Sequence, residues 1–276
     1  MWSSRSHAFR VALLTVVATI IVLPLVIFVL GPNMPPGKGT DAARGQVFDN
    51  TVLLIVMTPF TMFILAYLGY ALVAFRARAG EELRDGAHIR GHVPSQIAWL
   101  VTTTCAVLFL AIFGSVELLS TGAGGGQGPH PLVTRSSALP VQVIGQQWEF
   151  TYRYPTYGGV ETAQLVLPAD REIEFHVTSL DAIHSFWAYE LGVKADANPG
   201  VDNVAFVKPH RLGNFQIRCA ELCGLWHGYM FDTGEVVPQT QFASWIAQQR
   251  QQFAPVMRYL PPYATHYSPD PTARAG

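Results

Sequence analysis

Half of the 276 residues are hydrophobic and only 13% are charged, a balance that an ordinary soluble domain does not show, so part of the chain belongs in a membrane. The formal net charge is −1, and no lysine- or arginine-rich stripe exists to neutralise a run of phosphates. A nucleic-acid binder is therefore excluded.

In chain order, three uncharged apolar runs come first, over residues 11–30, 51–75 and 93–116, each long enough for the roughly 20 residues a transmembrane helix needs. Arg5 and Arg10 precede the first run, and Arg76, Arg78, Arg84 and Arg90 lie between the second and third. The positive-inside rule puts these arginines in the cytoplasm and everything after Glu117 outside, as expected of a multi-pass protein of a bacterial-type plasma membrane. A cleaved signal peptide is the competing reading of the first run. Its apolar core exceeds the usual length of about 7–15 residues, and no small-residue cleavage site follows promptly, so a retained helix is expected. Residues 1–50 thus form an extra helix and loop, and residues 51–119 a helical hairpin. Three helices without charge of their own at mid-membrane suit one subunit of a larger membrane complex better than a free-standing transporter.

At "STGAGGGQGPHP" the composition turns abruptly to a glycine-rich linker, assigned to residues 120–137. From residue 138 onward, short alternating segments separated by turn residues predict an antiparallel β sandwich or barrel. In "REIEFHVTS" the residues Ile173, Phe175 and Val177 share one face, as do Phe215, Ile217 and Cys219 in "NFQIRC". The stretch "TQFASWIAQQRQQF" reads as a terminal helix that closes a 138–253 domain, and the proline-rich residues 254–276 as a flexible tail.

The densest chemistry lies in "RCAELCGLWHGYM". Cys219 and Cys223 are separated by three residues, His227 follows, and then Met230. Thiolates and a thioether select soft or borderline metals such as copper, and imidazole suits copper as well as zinc. Structural zinc sites use paired C-x2-C or C/H spacings without methionine, whereas a mononuclear blue-copper site takes one cysteine and two histidines. Two cysteines with one local histidine fit neither. "LDAIHSFW" offers a second histidine, His184, which a neighbouring loop can bring to the same end of a sandwich. Two thiolates bridging two metals, with one histidine for each and weaker methionine and backbone ligands, describe a binuclear copper centre.

The pattern C-x-E-L-C-G-x-x-H-x-x-M with an upstream H-S-F-W resembles the CuA site of cytochrome c oxidase subunit II. The resemblance runs from about Thr51 to Ala247 and takes in "MTPF", "YALVAFR", "GQQWEFTYRY" and "LGVKADANPG". It implies N-terminal transmembrane α-helices followed by an all-β, cupredoxin-like Greek-key barrel. The copper ligands it implies are His184, Cys219, Cys223, His227 and Met230, with Glu221 giving its backbone carbonyl. The Glu221 carboxylate would help hold a magnesium ion shared with the catalytic subunit. Trp148 matches the tryptophan that receives electrons from cytochrome c. The implied function is electron acceptance from cytochrome c and delivery to haem in catalytic subunit I of a haem-copper oxidase, where oxygen becomes water.

Other readings stand beside these. Cys219 and Cys223 can be a disulfide in an oxidising compartment. Asp181 and Asp196 are docking or interface residues, or plain surface charges. In "QQWEFTYRY" the alternating Phe150, Tyr152 and Tyr154 read as core, with Trp148 the exception. His7, His88, His92 and His176 read as ordinary polar residues and Cys105 as a buried small hydrophobe. The rival functions are the copper subunit of a haem-copper nitric-oxide reductase and a copper-free structural subunit of a quinol oxidase. The chain departs from the family where Gln96 replaces a glutamate ahead of Trp99 and where Val201 replaces an arginine. It also lacks a C-x-x-C-H haem motif, so the cytochrome donor is a separate protein or sits on another subunit.

Overall fold

The computed structural model describes residues 4–35, 37–76, 91–120, 137–257 and 259. Arg78, Arg84, Arg90, His88, residues 121–136 of the linker and nearly all of the tail fall outside the described residues. The chain divides into two compact units, Met1–Met34 with Phe48–Glu117, and Pro35–Val47 with Leu118–Gly276.

The first unit is helical. Helix α1 (Ser4–Leu25) continues through a π turn (Val26–Leu30) and a short 3-10 turn (Gly31–Asn33). Helices α2 (Asp41–Ala74) and α3 (Val93–Ser120) follow. Three stretches, Ser6–Asn33, Asp41–Ala74 and Val93–Glu117, are long and apolar enough to cross a bilayer. Their apolar side chains project on every side rather than along one stripe; Ile20, Leu72 and Val107 are each about two-thirds exposed. A helix that is apolar all round needs lipid or protein on all its faces, so this is a membrane protein. Inside the unit His7 Nδ1 lies 2.6 Å from the Tyr70 hydroxyl, and Phe48 packs on Phe113. Cys105, expected to be buried, is exposed on α3, because a three-helix unit leaves most of that helix without a protein neighbour. His92 sits ahead of α3, where its Nδ1 is 2.7 Å from Ser95 Oγ.

Helix α2 starts ten residues before its apolar run. Thr40 supplies the reason: its hydroxyl accepts the Ala43 N–H at 2.9 Å and so caps the helix. Residues 35–47, expected to be a plain loop, are instead strapped to the β unit. The Gly39 N–H donates to Glu190 O (2.9 Å), Thr40 Oγ1 to Leu191 O (2.8 Å) and Gln46 Nε2 to Gly192 O (2.8 Å).

Among its described residues, the second unit holds ten strands in two five-stranded sheets. In chain order they are β1 (Leu139–Gln146), β2 (Glu149–Tyr154), β3 (Val160–Thr162), β4 (Val166–Pro168), β5 (Ile173–Ser179), β6 (His184–Ala188), β7 (Val193–Ala197), β8 (Asn203–Val207), β9 (Gly213–Cys219) and β10 (Phe231–Val237). One sheet runs β3-β2-β1-β5-β8 and the other β4-β10-β9-β6-β7. The expected antiparallel pattern is corrected at two places, since β1 pairs with β5 and β10 with β4 in parallel. Alternation reports which face of a strand is buried; it carries no information on which neighbour the strand pairs with.

Between the sheets, Ile173, Phe175 and Val177 are fully buried, and Phe215, Ile217 and Cys219 nearly so, as their alternation requires. Phe150, Tyr152 and Tyr154 complete this core. The Tyr154 hydroxyl donates to Val166 O and accepts the Val166 N–H, so a fully buried polar group is satisfied twice. Helix α4 (Gln239–Met257) closes the open end, with Phe242 and Ile246 buried and Trp245 edge-on to Tyr154 at 5.5 Å. It runs through Pro255 and past the expected boundary at 253. Proline is tolerated there because only the last turn loses a hydrogen bond. His176 is not an ordinary polar residue. It is 2% exposed, with Nδ1 2.8 Å from Asp202 Oδ2 and Nε2 3.4 Å from Glu174 Oε1.

Candidate metal centre

Two loops at one end of the sandwich build the site. His184 opens β6, straight after the β5–β6 turn, while Cys219 ends β9 and the residues up to Met230 form the loop into β10. Strands β6 and β9 are antiparallel neighbours with Phe186 opposite Cys219, which carries the first histidine to the first cysteine across 35 residues of sequence. The β9–β10 loop is closed by backbone bonds, the Cys219 N–H to Met230 O (3.0 Å) and the Met230 N–H to His227 O (3.2 Å).

All six residues expected at the centre meet here. The Cys219 and Cys223 sulfurs are free thiols 3.7 Å apart. His184 Nδ1 lies 3.9 Å from Cys219 Sγ, and His227 Nδ1 lies 3.6 Å from Cys223 Sγ. Met230 Sδ is 3.7 Å from Cys223 Sγ, and the Cys219 thiol donates to the Glu221 carbonyl at 3.2 Å. His184, Cys219, Cys223 and Met230 are buried, His227 is half-buried, and Glu221 is exposed. The ligand atoms of His184, Cys219 and Cys223 lie within 4.8 Å of one another, a group able to hold copper.

The donor set fits such an ion chemically. Burial pushes the Cys223 thiol up to about 12, and the neighbouring Cys219 sulfur adds to the rise. Its thiolate is therefore disfavoured until a cation displaces the proton.

Asp181, expected to be a docking residue or a surface charge, serves the site from behind. Its Oδ1 lies 2.9 Å from His184 Nε2, its Oδ2 accepts the Gln147 N–H at 2.7 Å, and Oδ1 also accepts the Ala182 N–H at 2.6 Å. Burial pulls this carboxyl upward, but these hydrogen bonds and the histidine outweigh it and hold it below the usual aspartate value. An ionised carboxylate only accepts, so His184 carries its proton on Nε2 and turns the Nδ1 lone pair toward the sulfurs. Because the value is depressed, the stabilisation Asp181 gives is complete above the ordinary aspartate range and is lost as pH falls through the lowered value. Asp196, the other acid, accepts the Ser185 hydroxyl at 2.7 Å.

Trp148 is half-buried in the β1–β2 turn, and its indole N–H donates to the Cys223 carbonyl at 3.2 Å. Gly145 makes room behind His184, where a Cβ would come within 3.0 Å of the ring. Gly145→Ala is expected to push the imidazole off the sulfur pair and to cost about 1–3 kcal/mol of stability through overpacking. Denaturant unfolding of the full chain and the copper hyperfine pattern read both effects, and an unaltered pattern would show that the ring has slack.

A helical membrane unit joined to a two-sheet, cupredoxin-like β unit with a sulfur-and-imidazole group that could hold copper defines a membrane protein of the cupredoxin-like β-sandwich class. The family described as cytochrome C oxidase subunit II, periplasmic domain, matches residues 160–237. Cytochrome c oxidase subunit 2 of Thermostichus vulcanus is 27% identical, over 83% of this chain and 83% of its own. A probable cytochrome c oxidase subunit 2 of Rickettsia conorii is 27% identical over 72% of this chain, which spans 66% of that protein. The crystal structure of the periplasmic domain of subunit II of cytochrome oxidase from Bradyrhizobium japonicum is 31% identical, with a TM-score of 0.42, and is covered to 99% by 44% of this chain. The chain belongs to the cytochrome c oxidase subunit II family, the subunits of an oxidoreductase.

Proposed function

We propose that this chain is the electron-accepting subunit of a haem-copper oxidase, with a binuclear CuA centre fed by cytochrome c. His184, Cys219, Cys223, His227 and Met230 would hold the coppers together with the Glu221 carbonyl, and electrons would pass on to haem in catalytic subunit I, where oxygen becomes water. The observation that carries this reading is the pair of thiols 3.7 Å apart, flanked by one imidazole Nδ1 at 3.9 Å and another at 3.6 Å, with a thioether and a carbonyl completing the set. Copper held by this set would supply one-electron chemistry, with a small change in structure on reduction.

The protein's own part is to keep the ligands still and dry. Sheet pairing fixes β6 against β9, the loop's backbone bonds fix Met230, and Asp181 fixes the His184 ring. A frame that does not move on reduction keeps the barrier to electron transfer low, in the way a preorganised site lowers any reorganisation cost. Trp148 would receive the electron, since its indole is partly exposed on one side and hydrogen-bonded to a ligand's carbonyl on the other. Glu221 would offer its exposed carboxylate to a magnesium ion at the border with subunit I. The β unit would lie outside a bacterial-type plasma membrane, on the side opposite the arginines.

Copper analysis and an electron paramagnetic resonance spectrum of the full chain in detergent, loaded with copper and partly oxidised, test the reading. Two coppers per chain sharing one unpaired electron, with hyperfine splitting from both nuclei, are expected. A single copper with an ordinary mononuclear signal, or no copper and a Cys219–Cys223 disulfide, would overturn it in favour of a structural subunit.

A further inference from the structure

We infer that Gln147 is a positioning residue of the electron-accepting site: it clamps the Trp148 indole to the Cys223 carbonyl and joins that clamp, through Asp181, to His184. The inference rests on the copper and tryptophan reading proposed above. Its basis is a set of hydrogen bonds that converge on one turn. The Gln147 side-chain amide donates to Cys223 O at 2.8 Å, and the Trp148 indole N–H donates to the same oxygen at 3.2 Å. A carbonyl has two lone pairs and takes both donors. The backbone N–H of Gln147 donates to Asp181 Oδ2 at 2.7 Å, and the other oxygen of Asp181 lies 2.9 Å from His184 Nε2.

One residue thus touches both ligand-bearing loops. Its main chain reaches the carboxylate behind the first histidine, and its side chain reaches the second cysteine. Trp148, its neighbour in the chain, is held between them. Without Gln147 the Cys223 carbonyl would lose the shorter of its two donors, the turn would be tied to this loop only by the 3.2 Å bond of a half-exposed indole, and rotation about the Trp148 side-chain torsions would compete with the docked position.

Gly224 supports the same arrangement from the opposite side. Its φ is +114°, a conformation that favours glycine, and a Cβ there would come within 2.9 Å of Gln147 Nε2 and 3.4 Å of the Trp148 indole nitrogen. The loop backbone is bare where the two side chains arrive, so they approach the carbonyl directly.

The test compares Gln147→Glu and Trp148→Ala in the full-length chain. The glutamate has nearly the shape of glutamine but presents acceptors where a donor is needed. Two quantities are read: reduction of the copper-loaded chain by a reduced soluble c-type cytochrome, and, in the copper-free chain, hydrogen exchange at the Trp148 indole N–H by nuclear magnetic resonance. The indole signals of Trp187 and Trp245 serve as controls for the fold. Gln147→Glu is expected to keep both coppers, slow reduction by roughly tenfold, and speed exchange at Trp148 alone by about the same factor, the scale of one lost hydrogen bond. Wild-type exchange and wild-type reduction in Gln147→Glu, with Trp148→Ala slow, would overturn the inference and leave the copper reading standing. Wild-type reduction in Trp148→Ala would instead remove Trp148 as the electron acceptor, and the exchange measurement would then judge the clamp by itself. If Gln147→Glu fails to load copper, exchange in the copper-free chain decides: faster at Trp148 alone upholds the clamp, unchanged overturns it.

Discussion

Cys219→Ser and Cys223→Ser are each expected to abolish the two-copper spectrum of the proposed centre, with metal analysis finding at most one copper per chain. Each variant removes one of the two sulfurs that would hold the coppers, because a serine hydroxyl is a hard oxygen donor that stays protonated and does not replace a thiolate toward soft ions. The two variants differ in what is left. Without the Cys219 sulfur, His227, Met230 and Cys223 remain grouped; without that of Cys223, His184 and the Glu221 carbonyl remain beside Cys219. A residual mononuclear signal should therefore differ between them. The fold survives in both, since serine is slightly smaller than cysteine and the Cys219 position already faces a carbonyl at 3.2 Å that a hydroxyl can use. Circular dichroism and unfolding of the copper-free variants separate lost metal from a lost fold. Two coppers with a shared electron in either variant would mean that the sulfurs are not the bridges.

Trp148→Ala is expected to leave copper content and spectrum unaltered and to slow oxidation of the proposed cytochrome donor. The indole N–H bonds the Cys223 carbonyl rather than a sulfur or an imidazole, and Gln147 still satisfies that carbonyl when the ring is gone. What is lost is flat apolar contact area beside the centre. Truncating a tryptophan at the heart of an interface costs about 2 kcal/mol or more, which is roughly thirtyfold in donor affinity or rate. Stopped-flow oxidation of reduced cytochrome c, at donor concentrations below and above saturation, separates weaker docking from slower transfer. An unaltered rate under both conditions would move the electron-accepting point elsewhere on the surface.

Much of this site could be read before any coordinate. Sulfur and imidazole residues are few, so their crowding between 219 and 230 carries a chemical message independent of the fold, and His184 matters because a strand end near the cluster was needed. The core could be read for a related reason: Ile173, Phe175 and Val177 alternate, and alternation has one physical cause. Asp181 and Gln147 were harder to see. A carboxylate three residues before a histidine and an amide before a tryptophan look like surface groups until the β1–β2 turn is known to lie over both ligand loops. The parallel β1–β5 pairing was hidden because buried strands look alike whichever direction their neighbour runs. The apolar pattern implies a late start for helix α2, since Arg44, Gln46 and Asp49 interrupt its apolar character, although Thr40 and Asp41 carry the cap and first-turn acid that mark a helix start.

The strap formed by Pro35–Val47 means that the compact unit bearing the candidate metal centre is discontinuous in sequence. A recombinant fragment cut at the composition break near residue 138 would discard the partners of Glu190, Leu191 and Gly192 and bare Leu191, which is 1% exposed in the intact chain. It would also delete Asp41, whose carboxylate lies 3.3 Å from His210 Nε2. A soluble version that keeps its native edge has to carry those thirteen residues back, grafted through a short connector, as a separate stretch of chain laid against the sheet.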